Sequence, residues 1–554
     1  MRTRFTALAL ALIVMILAVA PISAQDGGVT FTFGEFGNPV QLDAAIVTDG
    51  ISFRTLTQGC ETLVEFQGDT TIPGPALAQS WTTSEDGLSW TFKLVENATF
   101  HDGTPFNAEA VKWNFDRWRL TTHPQHFAEQ VFEYYEAQFN GFDDASLITD
   151  VQATSEFEVT FTLSAPIGAF LNNLAMPMFS LASPAAVEAN GAAYGTPEVG
   201  FSCTGPYKFV EWVSDDRVVL TRNESYWGTV SGNIDTIIFK IIPDNAARLA
   251  ALQSGDIDAF ERPNVEDVPT IEASEDLYIQ LRPAFNVFYL AFNYRIKEFR
   301  DPRVRQAISL ALNRQEIVDA FYVPGSVAAN TMNPPSIGIG FNPDVQTPFD
   351  PELAKQLLAD AGYPNGLSEV NVLALDADGN ITDTVEETIP IRLYFMPVAR
   401  PYNPDGEGIG SAMVNYLASA GINAELASAG DWSAYLDARR DGQLLGLYQL
   451  GWTGDNGDPD NFIGYFFASV DTPLAREGYY QNAEVAQMLQ EARVSLDTAA
   501  RDQIYKDVEA IMAAESARIY IAHGPVPLAF NNRVQGYVTN PLGTEFFKTV
   551  TITG

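Results

Sequence analysis

The stretch Leu444-Leu445-Gly446-Leu447-Tyr448-Gln449-Leu450 carries no charge and no proline. A short apolar run bounded by turn signals reads as a buried strand. It leads directly into Gly451-Trp452-Thr453-Gly454-Asp455-Asn456-Gly457-Asp458-Pro459-Asp460-Asn461-Phe462. Asn-Gly and Asp-Pro are turn formers, so this run is expected to be a turn-rich loop rather than the interior of a strand or helix. A loop leaving a buried strand is a good position for a binding residue, because a rigid scaffold then aims a mobile side chain.

The rest of the chain alternates between the same two kinds of segment. Val29, Phe31 and Phe33 alternate with small polar residues, and Trp90 to Leu94 reads as a strand. Asn107 is a candidate N-cap for a helix through Arg117, and Asp301-Pro302 opens a helix with Val304, Ala307, Ile308, Ala311 and Leu312 on one stripe. Asp350-Pro351 repeats the device, with Leu353, Ala354, Leu357 and Leu358 expected inside and Gly362 past the end. Further helices are expected at 413–420, 483–495 and 499–514, with strands at 391–395, 423–426 and 519–522. Such interleaving implies α/β or α+β architecture, not a sandwich.

Composition sets the compartment and excludes some partners. Arg2 and Arg4, the apolar run Phe5 to Val19 and Ile22-Ser23-Ala24 together read as a cleaved export signal over residues 1–24. No cysteine stands near the cut to carry a lipid, so the mature chain is expected to be soluble and periplasmic or extracellular. The formal charge of −38 repels nucleic acid and anionic lipid, and no basic cluster offsets it. In an oxidising compartment the only two cysteines, Cys60 and Cys203, read as one disulfide.

Four blocks, in order, resemble the family 5 extracytoplasmic solute-binding proteins of ABC importers, and within that family the dipeptide-binding proteins. The first is Leu77 to Arg117, with Trp81, Trp90 and Phe100-His101-Asp102-Gly103-Thr104-Pro105-Phe106. The second is Thr204-Gly205-Pro206-Tyr207-Lys208-Phe209 through Tyr226-Trp227-Gly228, a hairpin turned at Ser214-Asp215-Asp216. The third is Arg400-Pro401-Tyr402-Asn403-Pro404, and the fourth is the loop from Gly451. The resemblance implies an α/β fold of two lobes, with mixed sheets flanked by helices and the ligand cleft between them. Carried over, it places lobe one at 28–285 plus 524–554, an inserted subdomain at about 61–200, and lobe two at 286–523. The chain would cross between lobes near Asn286-Val287-Phe288 and His523-Gly524-Pro525.

The resemblance also supplies roles. Arg400, displayed on a loop stiffened by Pro401 and Pro404, would take the ligand's C-terminal carboxylate, and Asp455 its α-ammonium. Asp458 and Asp460 compete with Asp455 as acids of the same loop. Tyr402, Gly451 and Trp452 belong to the same ligand-binding set, Trp452 either walling the pocket or packing beneath the loop. Lobe one would close on the ligand through Glu35 to Asn38. A zwitterionic peptide needs one cation and one anion at its ends, and an extended dipeptide spans about 7 Å at ~3.5 Å per residue. Two fixed charges at that spacing would act as a ruler for length.

The expected function is therefore capture of a short peptide, most simply a dipeptide, by a monomeric protein that delivers it to ABC permease subunits in the membrane. Within the family the alternatives are glutathione, an oligosaccharide or a metal chelate. From another class the alternative is a secreted hydrolase. None of His101, His123, His126 and His523 sits in a recognisable triad or zinc motif, and there is no P-loop or dinucleotide fingerprint. Neither a catalytic residue nor a cofactor nor a metal is expected. The acidic segment Asp376 to Glu387 superficially resembles a calcium loop, but Ile381 stands where that turn requires glycine, so a plain hairpin tip is favoured.

Overall fold

In the computed structural model, which describes residues 28–469 and 473–554, the chain builds two seven-stranded sheets and a smaller four-stranded one. The expected signal at 1–24 lies outside the described residues. The first sheet runs in the order Leu277–Arg282, Val526–Asn531, Ala259–Glu261, Thr30–Glu35, Thr236–Ile241, Arg217–Arg222 and Tyr207–Val213. Thr30–Glu35 lies parallel to both of its neighbours, while the remaining pairs are antiparallel, so the sheet is mixed. Phe31 and Phe33 are fully buried in it, as the alternation predicts. The second sheet orders Val327–Ala328, Ile519–His523, Asn286–Phe292, Leu447–Thr453, Ile381–Tyr394 and Glu369–Leu375, with Ala424–Ala427 also paired to Ile381–Tyr394. Each large sheet has its own apolar core.

The chain passes between these sheets twice, after Arg282 and after His523. The two passages are tied together: Asn286 Nδ2 donates to the Gly524 carbonyl at 2.8 Å, and the Gly524 amide donates to Asn286 Oδ1 at 3.0 Å. The four-stranded sheet, in the order Ala78–Thr83, Ser89–Leu94, Glu158–Leu163 and Ile148–Ser155, packs against the helix Ala108–Arg119. Asn107 caps that helix by accepting from the Ala110 amide at 3.0 Å, and Phe115 meets Phe161 edge-on at 4.7 Å.

The capped helices form where their signals place them, as Pro302–Ala311, Pro351–Asp360, Ala483–Val494 and Thr498–Ala514. Val304, Ala307, Ile308, Ala311 and Leu312 are all buried. In Pro351–Asp360 only Ala354 and Leu358 are buried; Leu353 is exposed, because the helix lies against its neighbour along a narrower stripe than the sequence suggests. The segment Asp376 to Asn380 is a hairpin tip, with the Asp376 side chain accepting from the amides of Asp378 and Asn380. From Ile381 the chain is strand paired with Glu369–Leu375, which leaves no twelve-residue calcium loop. Cys60 and Cys203 are bonded, with a Cα–Cα separation of 4.9 Å. Closing a loop with a sequence separation of 143 stabilises by about 4–5 kcal/mol in the chain-entropy picture.

Candidate functional site

The buried strand runs further than its apolar stretch. Gly451, Trp452 and Thr453 pair with Phe288, Val287 and Asn286, so they belong to Leu447–Thr453 and not to the loop. The loop proper is Gly454 to Asp458, and the chain turns helical at Pro459 and Asp460. Turn-forming residues govern only this middle section, because pairing with a central strand satisfies the backbone before it. The loop is anchored to the short helix Phe170–Leu174: Asn456 Nδ2 donates to Asn173 Oδ1 at 2.8 Å, and Asn172 Nδ2 donates to the Asn456 carbonyl at 2.9 Å.

Beside this strand end lies a cavity of about 880 Å³ lined by residues between 133 and 173, the 400–402 loop, the helix Trp432–Arg440 and the 451–466 segment. Arg400, Tyr402, Gly451, Trp452 and Asp455 all line it. Arg400 sits on a tight reversal in which the backbones of Arg400 and Asn403 exchange two hydrogen bonds of 2.9 Å. The ring of Tyr402 lies against Gly451, where an added Cβ would come within 2.3 Å of it. Gly451 thus makes room for Tyr402. Trp452 stacks on Tyr465 at 5.0 Å and donates to Asn461 Oδ1 at 3.3 Å, so it both walls the cavity and holds the loop.

The three acids of the segment separate cleanly. Asp458 is buried and takes both terminal nitrogens of Arg501, at 2.7 and 2.8 Å. Asp460 pairs with Arg493 at 3.0 Å. Asp455 has no cationic partner among the described residues. It accepts from Asn461 Nδ2 at 3.3 Å, its own amide donates to Asn461 Oδ1 at 2.8 Å, and the Tyr134 side chain stands beside it. Burial pushes its carboxyl up to about 6 against the relief given by Asn461 and Tyr134.

The arginines separate in the same way. Of those lining the cavity, Arg439 pairs with Glu477, Arg493 with Asp460 and Arg501 with Asp458. Arg400 makes no ion pair among the described residues; its guanidinium lies 5.8 Å from the Trp432 ring, donates to the Ala399 carbonyl at 3.1 Å and stands beside the Tyr402 side chain. The cavity therefore contains an exposed cation and a half-buried anion, each left without a charged protein partner.

Glu35 and Asn38 do not line this cavity. The Glu35 carboxylate is fully buried and bonded to Arg54 at 2.6 Å, and Arg54 also holds Glu261. Asn38 exchanges side-chain and backbone hydrogen bonds with Asp215 on the Tyr207–Arg222 hairpin. Both side chains are engaged away from this cavity, although Glu35 Oε2 has no hydrogen-bond partner among the described residues, and sequence position alone does not reveal this. The residues that reach the cavity from the first half of the chain include Glu133 and Tyr134, on the short helix Glu133–Phe139, and Asn173. No motif marks them; only the tertiary fold brings Tyr134 beside Asp455.

The matches to known proteins agree with this architecture. Residues 73–473 match the family model described as "Bacterial extracellular solute-binding proteins, family 5 Middle". The chain belongs to that family, and its fold is the two-lobed periplasmic-binding-protein fold. It is 32% identical over 554 residues to the dipeptide-binding protein of Escherichia coli (strain K12), covering 97% of each chain. It is 30% identical to heme-binding protein A of Haemophilus influenzae (strain ATCC 51907 / DSM 11121 / KW20 / Rd), covering 95% of this chain and 92% of that one. The structure of HbpA2 from Haemophilus parasuis superposes with a TM-score of 0.83 at 29% identity, over 95% of this chain and 100% of that one. None of the described helices is long and apolar enough to cross a membrane.

The raised carboxyl has a measurable consequence. Below about 6 Asp455 carries a proton, and a neutral acid does not compensate an ammonium group. Affinity for a ligand that places an ammonium there is expected to be flat above about pH 7. It should fall by about tenfold per pH unit once the pH drops below the carboxyl's value. Binding near pH 6 should release protons, because the ammonium draws the carboxyl back towards its ordinary range. Calorimetry in buffers of different ionisation enthalpy reads both effects.

Proposed function

We propose that this chain, exported through cleavage after residue 24, binds a short peptide by its charged ends as a monomer and delivers it to the permease of an ABC importer without chemical turnover. The observation that carries the reading is the pair of unmatched charges in one cavity. Arg400 offers a planar fork suited to a carboxylate, and Asp455 offers an anion suited to an ammonium. Every other acid of the loop and every other arginine of the lining is already paired within the protein. Tyr402 and Trp452 would flank the ligand, and Asn461 and Tyr134 would fix the carboxylate that receives the amine. The dipeptide-binding relative supports this choice of ligand. The oligosaccharide alternative has no use for the two opposite charges.

The lobes in this reading are 28–285 with 524–554 and 286–523, and the subdomain of about 61–200 covers the ligand. The division is supported by the two sheets and by the paired passages at Asn286 and Gly524. Mass spectrometry of small molecules released by unfolding the purified protein tests the ligand class directly. Recovery of di- or tripeptides is the expected result; recovery of a tetrapyrrole or a sugar would overturn it.

A further inference from the structure

The cavity does not end at the two terminal charges. Along the sheet, Trp452 pairs with Val287, Leu450 with Tyr289 and Tyr448 with Ala291, and directly paired residues share a face. Trp452 and Leu450 line the cavity, so Tyr289 and Tyr448 continue the same face further along it. The helix Trp432–Arg440 covers this face. Trp432, Leu436 and Arg439 all line the cavity, and their spacing places them on one side of the helix. Arg400 stands over Trp432, so Arg439 lies two turns along the helix from it, roughly 10 Å away at 1.5 Å per residue.

Beneath Arg439 lies a polar cluster inside an aromatic core. Glu477 receives Arg439 at 2.6 Å and Arg518 at 2.7 Å. The Arg518 guanidinium packs 4.3 Å from the Tyr289 ring and 4.9 Å from Phe466, itself a cavity residue. One carboxylate thus faces three guanidinium groups, the third being Arg476 at 3.6 Å. Polar atoms here without a hydrogen-bond partner among the described residues include four groups: Arg439 Nε, one terminal nitrogen of Arg518, and the hydroxyls of Tyr289 and Tyr448. Tyr289, Tyr448, Arg518 and Glu477 are all buried, and Arg439 is the member that reaches the cavity. Burial holds both phenols protonated, so each can donate. All four idle groups are donors, and the local charge is positive in a protein of net charge −38.

We propose that this end of the cavity is a subsite for a second carboxylate, carried on an aspartyl or glutamyl side chain of the bound peptide, with Arg439 and the hydroxyls of Tyr289 and Tyr448 as its donors. This rests on the peptide reading above and adds a side-chain preference to it. The idle donors match a group with several acceptor lone pairs, and the excess guanidinium supplies the charge. A neutral side chain of equal size would satisfy fewer donors and none of the charge. An acidic ligand is otherwise repelled by the protein as a whole, so a preference for one must come from a local cluster of this kind.

The test is calorimetry on full-length mature protein, stripped of ligand by unfolding and refolding, with Ala-Ala, Ala-Glu, Ala-Gln, Glu-Ala and Gln-Ala. At one of the two positions the glutamyl peptide should bind about tenfold or more tighter than its glutaminyl isostere, the range of a charge-assisted hydrogen bond. Arg439→Gln should bring that ratio close to one, and Tyr448→Phe should lower it part of the way. The second variant carries the test if the first does not fold. Equal affinities for glutamyl and glutaminyl peptides at both positions, with Ala-Ala still bound, would overturn the subsite and leave the terminal-charge reading standing. A ratio unmoved by either variant would place the acid elsewhere and overturn it as well. Failure of all five peptides to bind would overturn both.

Discussion

Asp455→Ala is expected to lower the affinity for an unblocked dipeptide by roughly 10²–10³-fold, and Arg400→Ala to do the same. Each change leaves one ligand charge enclosed and unmatched, and breaking a buried pair from one side costs about 3–5 kcal/mol. Both variants should remain folded. Neither residue makes an ion pair among the described residues, so neither removal leaves a protein charge stranded. Asp455→Asn should behave like the alanine variant in binding while keeping the contact to Asn461. Empty protein carrying it should be no less stable near neutral pH than the parent, because the parent keeps an unfavourable carboxylate ionised there. Calorimetry for affinity and chemical denaturation for stability separate the two effects.

The second large effect falls on folding. Arg501 holds Asp458 through two short hydrogen bonds, and both side chains are buried. Arg501 also donates to the Ala492 carbonyl at 2.9 Å and reaches the Gly168 carbonyl at 3.4 Å. It therefore joins the segment Gly454 to Asp458, two helices of the second half and the turn at Gly168. Arg501→Ala should destabilise by about 3–5 kcal/mol, the cost of leaving Asp458 buried without its cation. Adding Asp458→Asn should recover part of the loss, since the stranded charge is removed. Urea denaturation of the single and double variants reads the difference. A neighbouring acid thus holds the site together while Asp455 is left free for the ligand.

Much of this arrangement was legible from the sequence where local chemistry decides it. Asn107, Asp301 and Asp350 announce helices because a side-chain cap is set by a few adjacent residues. The loop and the Arg-Pro-Tyr-Asn-Pro run are legible because prolines, glycines and charges fix a local geometry, and both reach one cavity. The helix Gly406–Ser419 was legible only in its second half. Gly406, Gly408 and Gly410 argue against helix, yet Gly406 packs where an added Cβ would meet the Met396 carbonyl at 2.2 Å. Close packing overrides propensity there.

What the sequence does not show is long-range. Glu35 sits on a strand end and looks available, but Arg54 comes from a separate helix to take it. Tyr134 belongs to an unremarkable helix and meets Asp455 across a separation of more than 300 residues, a contact that no spacing rule encodes. The choice among Asp455, Asp458 and Asp460 is of the same kind. Their distinction is which of them lacks an arginine, and Arg493 and Arg501 come from two later helices.

The central claim is that one peptide is held by both ends at once. It is tested most directly by calorimetry of ligand-free protein with a dipeptide, its N-acetyl derivative and its C-terminal amide. The account predicts tight binding of the free dipeptide and a loss of roughly 10²-fold or more for each blocked form, matching the losses in Asp455→Ala and Arg400→Ala respectively. Binding of either blocked peptide as tightly as the free one would contradict it.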